Sequence, residues 1–231
     1  MALTKEDIVY EDEHILAIHK RAGLATQTAK IGEADLISEA KNYIALKKGK
    51  TGDIYIGLIN RLDQPVEGIV LLGLDKKTTA GLSEQLQSGG LDKHYYARVY
   101  GSVKPTEALV SDFLIKDSAT NKTIIVDDGT AGAQRALLEY KVCEDKSDDK
   151  SSLVDIHLIT GRHHQIRVQM SGMGHPILGD KKYGTVDSEG ESVARRIRTV
   201  ALCAYRLSFE HPVTDKRIEL SVSPKGEWMS N

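Results

Sequence analysis

Cysteine is almost missing from this sequence: Cys143 and Cys203 are the only two in 231 residues, and they are not in CxxC spacing. That scarcity excludes a disulfide scaffold and a thiolate zinc site, and leaves both to be read as small buried hydrophobes. Long apolar runs are missing too, since none approaches the ~20 residues that a membrane-spanning helix needs. The opening stretch MALTKEDIVYEDEH lacks a basic segment followed by an apolar one, so no secretory signal is read there and a cytoplasmic location is expected. An excess of charge of one sign is also lacking, because 31 Lys and Arg against 33 Asp and Glu give a net −2. Phosphate recognition usually leaves a basic footprint, so any nucleic-acid surface must be local.

What is present is an ordinary globular composition, 40% hydrophobic and 28% charged, in a chain long enough for one large domain or two small ones. Ile8 to Tyr10 and Ile15 to His19 read as strands about an acidic turn. From the N-cap Asp35, the apolar positions Leu36, Ile37, Ala40, Tyr43 and Ile44 follow helical spacing as far as Gly49. Gly68 to Leu74 is a continuous apolar strand, and Asp75 then caps a second helix that stops at Gly89-Gly90. Beyond it, KHYYARVYG, NKTIIVDD, ALLEYKV, SLVDIHLI, TVALCAYRLSF and RIELSV are all rich in β-formers. Strands in consecutive runs favour an α+β fold with a mixed, mainly antiparallel sheet and flanking helices over regular βαβ alternation. The polar stretch from Glu144 to Ser152 reads as an exposed hairpin loop, so one domain, 1–231, is expected.

Three segments hold residues suited to chemistry. In Ile59-Asn60-Arg61-Leu62-Asp63-Gln64-Pro65-Val66-Glu67-Gly68, an arginine and a carboxylate stand two residues apart before the apolar strand. Pro65 favours an extended or turned backbone at Gln64, so Asp63 belongs on a loop held by that strand. In Lys93 to Gly101, alternation puts Lys93, Tyr95, Ala97 and Val99 on one face and His94, Tyr96, Arg98 and Tyr100 on the other; the tyrosines read either as ordinary β-formers packing on a sheet or, for one of them, as a ring that stacks on a base. In the third, Leu158 to Gln169, Thr160 reads as the N-cap of a helix on which His163 and Arg167 share a face. His163 and His164 are adjacent and have no HExxH partner, so no metal is expected there.

Taken in order, IVYEDEHILAIHKRAGL, NRLDQPVEG, KHYYARVYG, LITGRHHQIRVQMSGMGHPILGDKKYG and ALCAYRLSFEHPVT resemble the RluA-like family of pseudouridine synthases. The resemblance implies a single catalytic domain with a cleft at mid-sheet, into which a uridine of ribosomal or transfer RNA is flipped. It implies that Asp63 is the catalytic aspartate, Arg61 helps extrude the base, Tyr95 stacks on the uracil, and Arg167 pairs with the catalytic carboxylate. The implied isomerisation breaks the N1 to C1′ bond and forms a C5 to C1′ bond without redox change, so neither cofactor nor metal is needed. Asp63 either attacks C1′ or removes the C2′ proton, and both routes are open. A monomer that binds structured RNA without a membrane is expected, with no small RNA-binding S4 domain in front.

The chain departs from the family pattern at several positions. Asn60, Gln169 and Cys203 stand where histidine is common, Arg21 replaces a frequent proline, and Gln64 to Glu67 differs from the usual threonine-serine version. Those four loop residues leave the RNA target unassigned. Two other readings are an RNA-binding protein of the same fold without catalysis, and a metal-dependent hydrolase using His163, His164 and Asp63.

Overall fold

The computed structural model describes residues 2–28, 32–49, 54–146 and 150–229. By its internal packing the chain forms two compact units, Met1–Asp92 with Ala204–Pro224, and Lys93–Cys203 with Lys225–Asn231. Eleven strands and four α-helices lie among the described residues, which is the α+β composition expected.

In the first unit, β1 (Ile8–Glu11), β2 (Ile15–Lys20), β4 (Glu67–Gly73) and β10 (Leu202–Glu210) are neighbours in that order. The short β3 (Gly57–Leu58) pairs with β4, and β11 (Arg217–Ser221) with β10. Strands β2 and β4 run antiparallel with Lys20 opposite Gly68, and every residue of both is buried, so the hydrophobic run in each is read by burial on two faces. The core gathers Ile15, Ala17, Ile69, Leu71, Leu207 and Phe209. Helix α1 (Leu36–Lys48) starts where the Ser38 N–H donates to the Asp35 carboxylate at 2.7 Å and stops at Gly49 in the left-handed region. Helix α2 (Lys76–Ser88) repeats the device with Asp75 and Gly89.

In the second unit the sheet order is β5 (Asp92–Tyr100), β9 (Ser151–Leu158), β8 (Gln134–Lys146), β6 (Glu107–Asp117) and β7 (Lys122–Val126), every pair antiparallel. The alternation read from the sequence holds on β5, where Lys93, Tyr95, Ala97 and Val99 are buried. Arg98 on the other face is buried as well, with its Nε donating to the Trp228 carbonyl at 2.7 Å. Residues 147–149 of the expected hairpin loop lie outside the described residues; β8 and β9 pair up to Lys146 and Ser151 on either side.

Three expectations are corrected. Helix α3 (Gln165–Gly172) begins four residues later than a Thr160 cap requires. Thr160 spends its hydroxyl on the Gln165 side chain and accepts the Leu137 N–H at 2.8 Å, and His164 enters a left-handed conformation, so His163 precedes the helix. Cys203 is buried, but Cys143 is exposed, next to an irregularity in the β8–β9 pairing between Val142 and Glu144. Helix α4 (Val186–Ala194) was not among the expected elements, because its burial inverts the usual pattern. Val186 and Val193 are exposed while Ser188 and Ser192 are buried, the latter accepting the Gly179 N–H at 2.8 Å.

One glycine fixes the approach of two strands. Gly68 has φ +129, and a Cβ added there would stand 2.7 Å from the Ala204 Cα and closer still to its backbone N and O. Gly68→Ala therefore has to push β4 away from β10 as well as adopt a strained φ. The expected loss in chemical denaturation is about 3 kcal/mol or more, at the high end for a single substitution; a loss below about 1 kcal/mol would mean that the approach is not required.

Candidate active site

Asp63 sits in a turn that is tied down on both sides. The Val66 N–H donates to the Asp63 carbonyl at 3.0 Å, which closes the turn around Gln64-Pro65. Before Asp63, the Leu62 carbonyl accepts the Thr26 hydroxyl at 2.8 Å and the Leu62 N–H returns to the same hydroxyl oxygen. After it, the Gln64 carbonyl accepts the Gly23 N–H at 2.8 Å, and the Gln64 side chain donates to the Gly23 carbonyl. Asn60 clamps the incoming chain to β4, donating to the Ile69 carbonyl and accepting the Leu71 N–H at 2.7 Å. Asp63 itself is half-buried, and Arg61, two residues earlier, is exposed.

Beneath this turn lies Lys20, fully buried at the end of β2. Its Nζ donates to the carbonyls of Leu24 (2.8 Å), Arg21 (3.1 Å) and Gln64 (3.2 Å), which spends all three of its N–H groups. Desolvation pushes its pKa down from 10.5 to about 8, while the charges of Asp63 and Glu67 oppose that shift. Around it the departures from the family pattern form bonds of their own. Arg21 makes a two-pronged pair with Glu39 of α1, with Nη2 to Oε1 at 2.6 Å and Nη1 to Oε2 at 3.0 Å. Glu67 faces His19 at 3.7 Å, both of them buried.

The second unit holds the other two expected residues. Tyr95, on β5, is buried opposite Ile156 of β9. Arg167, on α3, is 5% exposed and makes a two-pronged pair with Asp180, Nε to Oδ2 at 2.7 Å and Nη2 to Oδ1 at 2.8 Å. Its guanidinium lies 5.2 Å from the centre of the Tyr183 ring. Asp180 and Tyr183 belong to the GDKKYG stretch that contributes to the family resemblance, but the sequence gives no sign that they surround Arg167.

Histidines pair in two places in this unit. His163 and His164 stack at 3.7 Å; the Nδ1 of His163 faces the Thr123 hydroxyl and that of His164 the Tyr183 hydroxyl, at 2.8 and 2.7 Å. His94 and His157 stack at 4.9 Å, each turning Nδ1 toward a carboxylate, Asp155 and Glu139 respectively. Arg195, Arg196 and Arg198 follow α4; Arg195 is paired with Glu191 at 2.6 Å, whereas Arg196 and Arg198 are exposed.

Lys20 supplies a test that needs no assay of activity. Between pH 8 and 10.5 the unfolded chain keeps a proton that folded Lys20 has released, so stability gains with rising pH across that window. Relative to Lys20→Met, the wild type is expected to gain about 3 kcal/mol in urea unfolding from below pH 8 to above pH 10.5. Parallel stability profiles for the two proteins would contradict the buried, charged Lys20.

Comparison with known proteins fits this arrangement to a family. The profile of the RNA pseudouridylate synthase family matches residues 14–172, which include the Asp63 turn, Tyr95 and Arg167. The dual-specificity RNA pseudouridine synthase RluA of Vibrio parahaemolyticus is 33% identical over 209 residues, covering 89% of this chain and 78% of its own. The ribosomal large subunit pseudouridine synthase D of Zymomonas mobilis is 31% identical over 219 residues, and the match spans 92% of this chain but about two thirds, 67%, of that relative. The solved structure of human RNA pseudouridylate synthase domain containing 4 shares the fold, with a TM-score of 0.77 at 24% identity over 95% of this chain and 89% of that one. This chain belongs to the RNA pseudouridylate synthase family of isomerases.

Proposed function

We propose that the chain converts specific uridines of structured RNA to pseudouridine, with Asp63 as the catalytic carboxylate. The observation that supports this most is the Asp63 turn, whose two neighbouring residues are fixed by Thr26, Gly23 and Lys20 while the carboxylate-bearing residue stays half-buried. A reaction that needs one carboxylate aimed at a sugar carbon calls for a residue whose backbone cannot swing away. Ribosomal or transfer RNA is the substrate class we infer, in keeping with the names of the relatives, one a large ribosomal subunit enzyme and one of dual specificity. On this reading both units act as one catalytic domain, working as a cytoplasmic monomer.

The roles follow from the chemistry. Arg61, exposed beside the turn, helps lever the uridine out of its stack and fills the vacated space. Tyr95 gives the flipped uracil an aromatic platform, worth about 1 to 3 kcal/mol per base. Arg167 is the further catalytic residue we assign, and the base, once detached at N1, turns and rejoins the sugar through C5, which gives up its proton while N1 takes one up. One proton leaves C5 and one is gained at N1, with no net change in composition or oxidation state, so no cofactor is required.

Two measurements test the proposal. Asp63→Asn is expected to fold and bind RNA as the wild type does but to form no pseudouridine, since the amide keeps the shape and loses both nucleophile and base. Residual turnover of a few per cent would sink the assignment. For binding, the exposed Arg61, Arg162, Lys181, Arg196 and Arg198 are the cations we assign to phosphate. With roughly four contacts, log affinity should fall against log salt with a slope of about −3, at about −0.7 per contact. Arg196→Ala with Arg198→Ala should flatten that slope and leave the single-turnover rate at saturating RNA unchanged. An affinity independent of salt would remove the physical support for an RNA substrate.

A further inference from the structure

On the side of β5 that faces away from Tyr95, the sheet of the second unit gathers ionisable side chains that the isomerisation does not use. His94 of β5 and His157 of β9 are direct cross-strand partners, and their rings stack at 4.9 Å. Side chains alternate across a strand, so both point away from the face of Tyr95 and its partner Ile156. Asp92 opens β5 two residues before His94 and so shares its face. A carboxylate oxygen of Asp92 and one ring nitrogen from each histidine lie within 4.8 Å of one another. The pairing of two strands alone places these three groups. All are half-buried, open enough for an ion to reach them.

Two further carboxylates stand behind the rings. Nδ1 of His94 lies 3.5 Å from Asp155, and Nδ1 of His157 lies 3.4 Å from Glu139. Glu139 faces His157 across the β8–β9 pairing, and a cation, Lys141, stands opposite Asp155. A carboxylate beside Nδ1 favours the tautomer that keeps its proton there, which puts the lone pair on Nε2. Histidines that bind metal are oriented in this way, with a carboxylate or carbonyl behind the ring.

We infer that Asp92, His94 and His157 form a site for a divalent transition-metal ion of the zinc class, with water in the fourth position. Two imidazoles and one carboxylate are a donor set that zinc takes in three-ligand sites, whereas magnesium and calcium take oxygen ligands. With bonds near 2.1 Å, a tetrahedral zinc ion needs its ligand atoms about 3.4 Å apart. Side-chain rotation at half-buried positions can close a spacing of up to 4.8 Å to that value while the strand pairing is kept. Such an ion clamps β5 to β9 and stabilises the second unit. It takes no part in the chemistry assigned to Asp63, so the inference stands apart from the proposed function.

The test is a titration of the wild-type chain with zinc chloride, followed by calorimetry and by the imidazole signals in long-range 1H–15N spectra. One saturable site is expected, with the signals of His94 and His157 shifting together. His94→Gln and His157→Gln should each weaken zinc binding by more than about 100-fold, beyond the 10- to 100-fold typical of losing a partner behind a ligand, and Glu139→Gln by roughly tenfold. Zinc should raise the midpoint of urea unfolding of the wild type but not of His157→Gln. Magnesium chloride should reproduce none of these effects. Without added zinc, His157→Gln should form pseudouridine at the wild-type single-turnover rate. Zinc that shifts only other histidines, an affinity unchanged in both histidine variants, or an equal response to magnesium would overturn the inference. If the histidine variants fail to fold, the wild-type spectra decide: joint shifts of His94 and His157 support the site, and their absence overturns it.

Discussion

A charged amine buried without solvent is the constraint on which the Asp63 turn depends. Lys20 lies at the end of a strand whose residues are all buried, and it reaches three carbonyls drawn from two separate stretches of chain, 21–24 and 64. Taking an ammonium out of water is unfavourable by several kcal/mol unless its donors are satisfied and opposite charge is close. Every N–H has an acceptor and Asp63 and Glu67 supply a negative field, yet desolvation outweighs both and holds the Lys20 pKa down at about 8. The same side chain therefore links the backbone of the turn to the 21–24 segment. The 23–26 segment, the turn and β4 then tie together through Gly23, Thr26 and Asn60, whose bonds run between strands and loops far apart in sequence.

The Arg167 site is built by the same means. There the carboxylate of Asp180, anchored by two backbone N–H groups and preceded by a glycine that permits the tight path, holds the buried guanidinium. In both places a long cationic side chain loses its rotamer freedom to acceptors of fixed geometry. Such a side chain has much entropy to lose on ordering, so the bonds must be multiple and buried to hold it. Both sites meet that requirement, with three acceptors for Lys20 and a two-pronged pair for Arg167.

Most of what positions these groups was legible from local pattern. The caps Asp35 and Asp75 and the stops Gly49 and Gly89 stand where the sequence puts them, because capping is decided within a few residues. The alternation on β5 held for the same reason. What stayed hidden depends on tertiary partners. Nothing in the local sequence marks Lys20 until three carbonyls converge on it, and Thr160 reads as a cap until Gln165 and Leu137 claim its hydroxyl. Helix α4 escaped notice because it buries serines, and Cys143 was misread because β8 leaves it exposed. The departures from the family pattern also take a structural meaning here: Arg21 binds Glu39, and Asn60 clamps β4.

The central claim is that the three hydrogen bonds donated by buried Lys20 hold the Asp63 turn in its working form. The most direct measurement is a 15N titration of the Lys20 ammonium, followed in parallel with the single-turnover rate of pseudouridine formation from pH 6.5 to 10.5. The account predicts that Lys20 loses its proton near pH 8, where one of its three carbonyls loses its donor, and that the rate falls through the same midpoint. A Lys20 that titrates near 10.5, or a rate that stays flat while Lys20 loses its proton near 8, would contradict it.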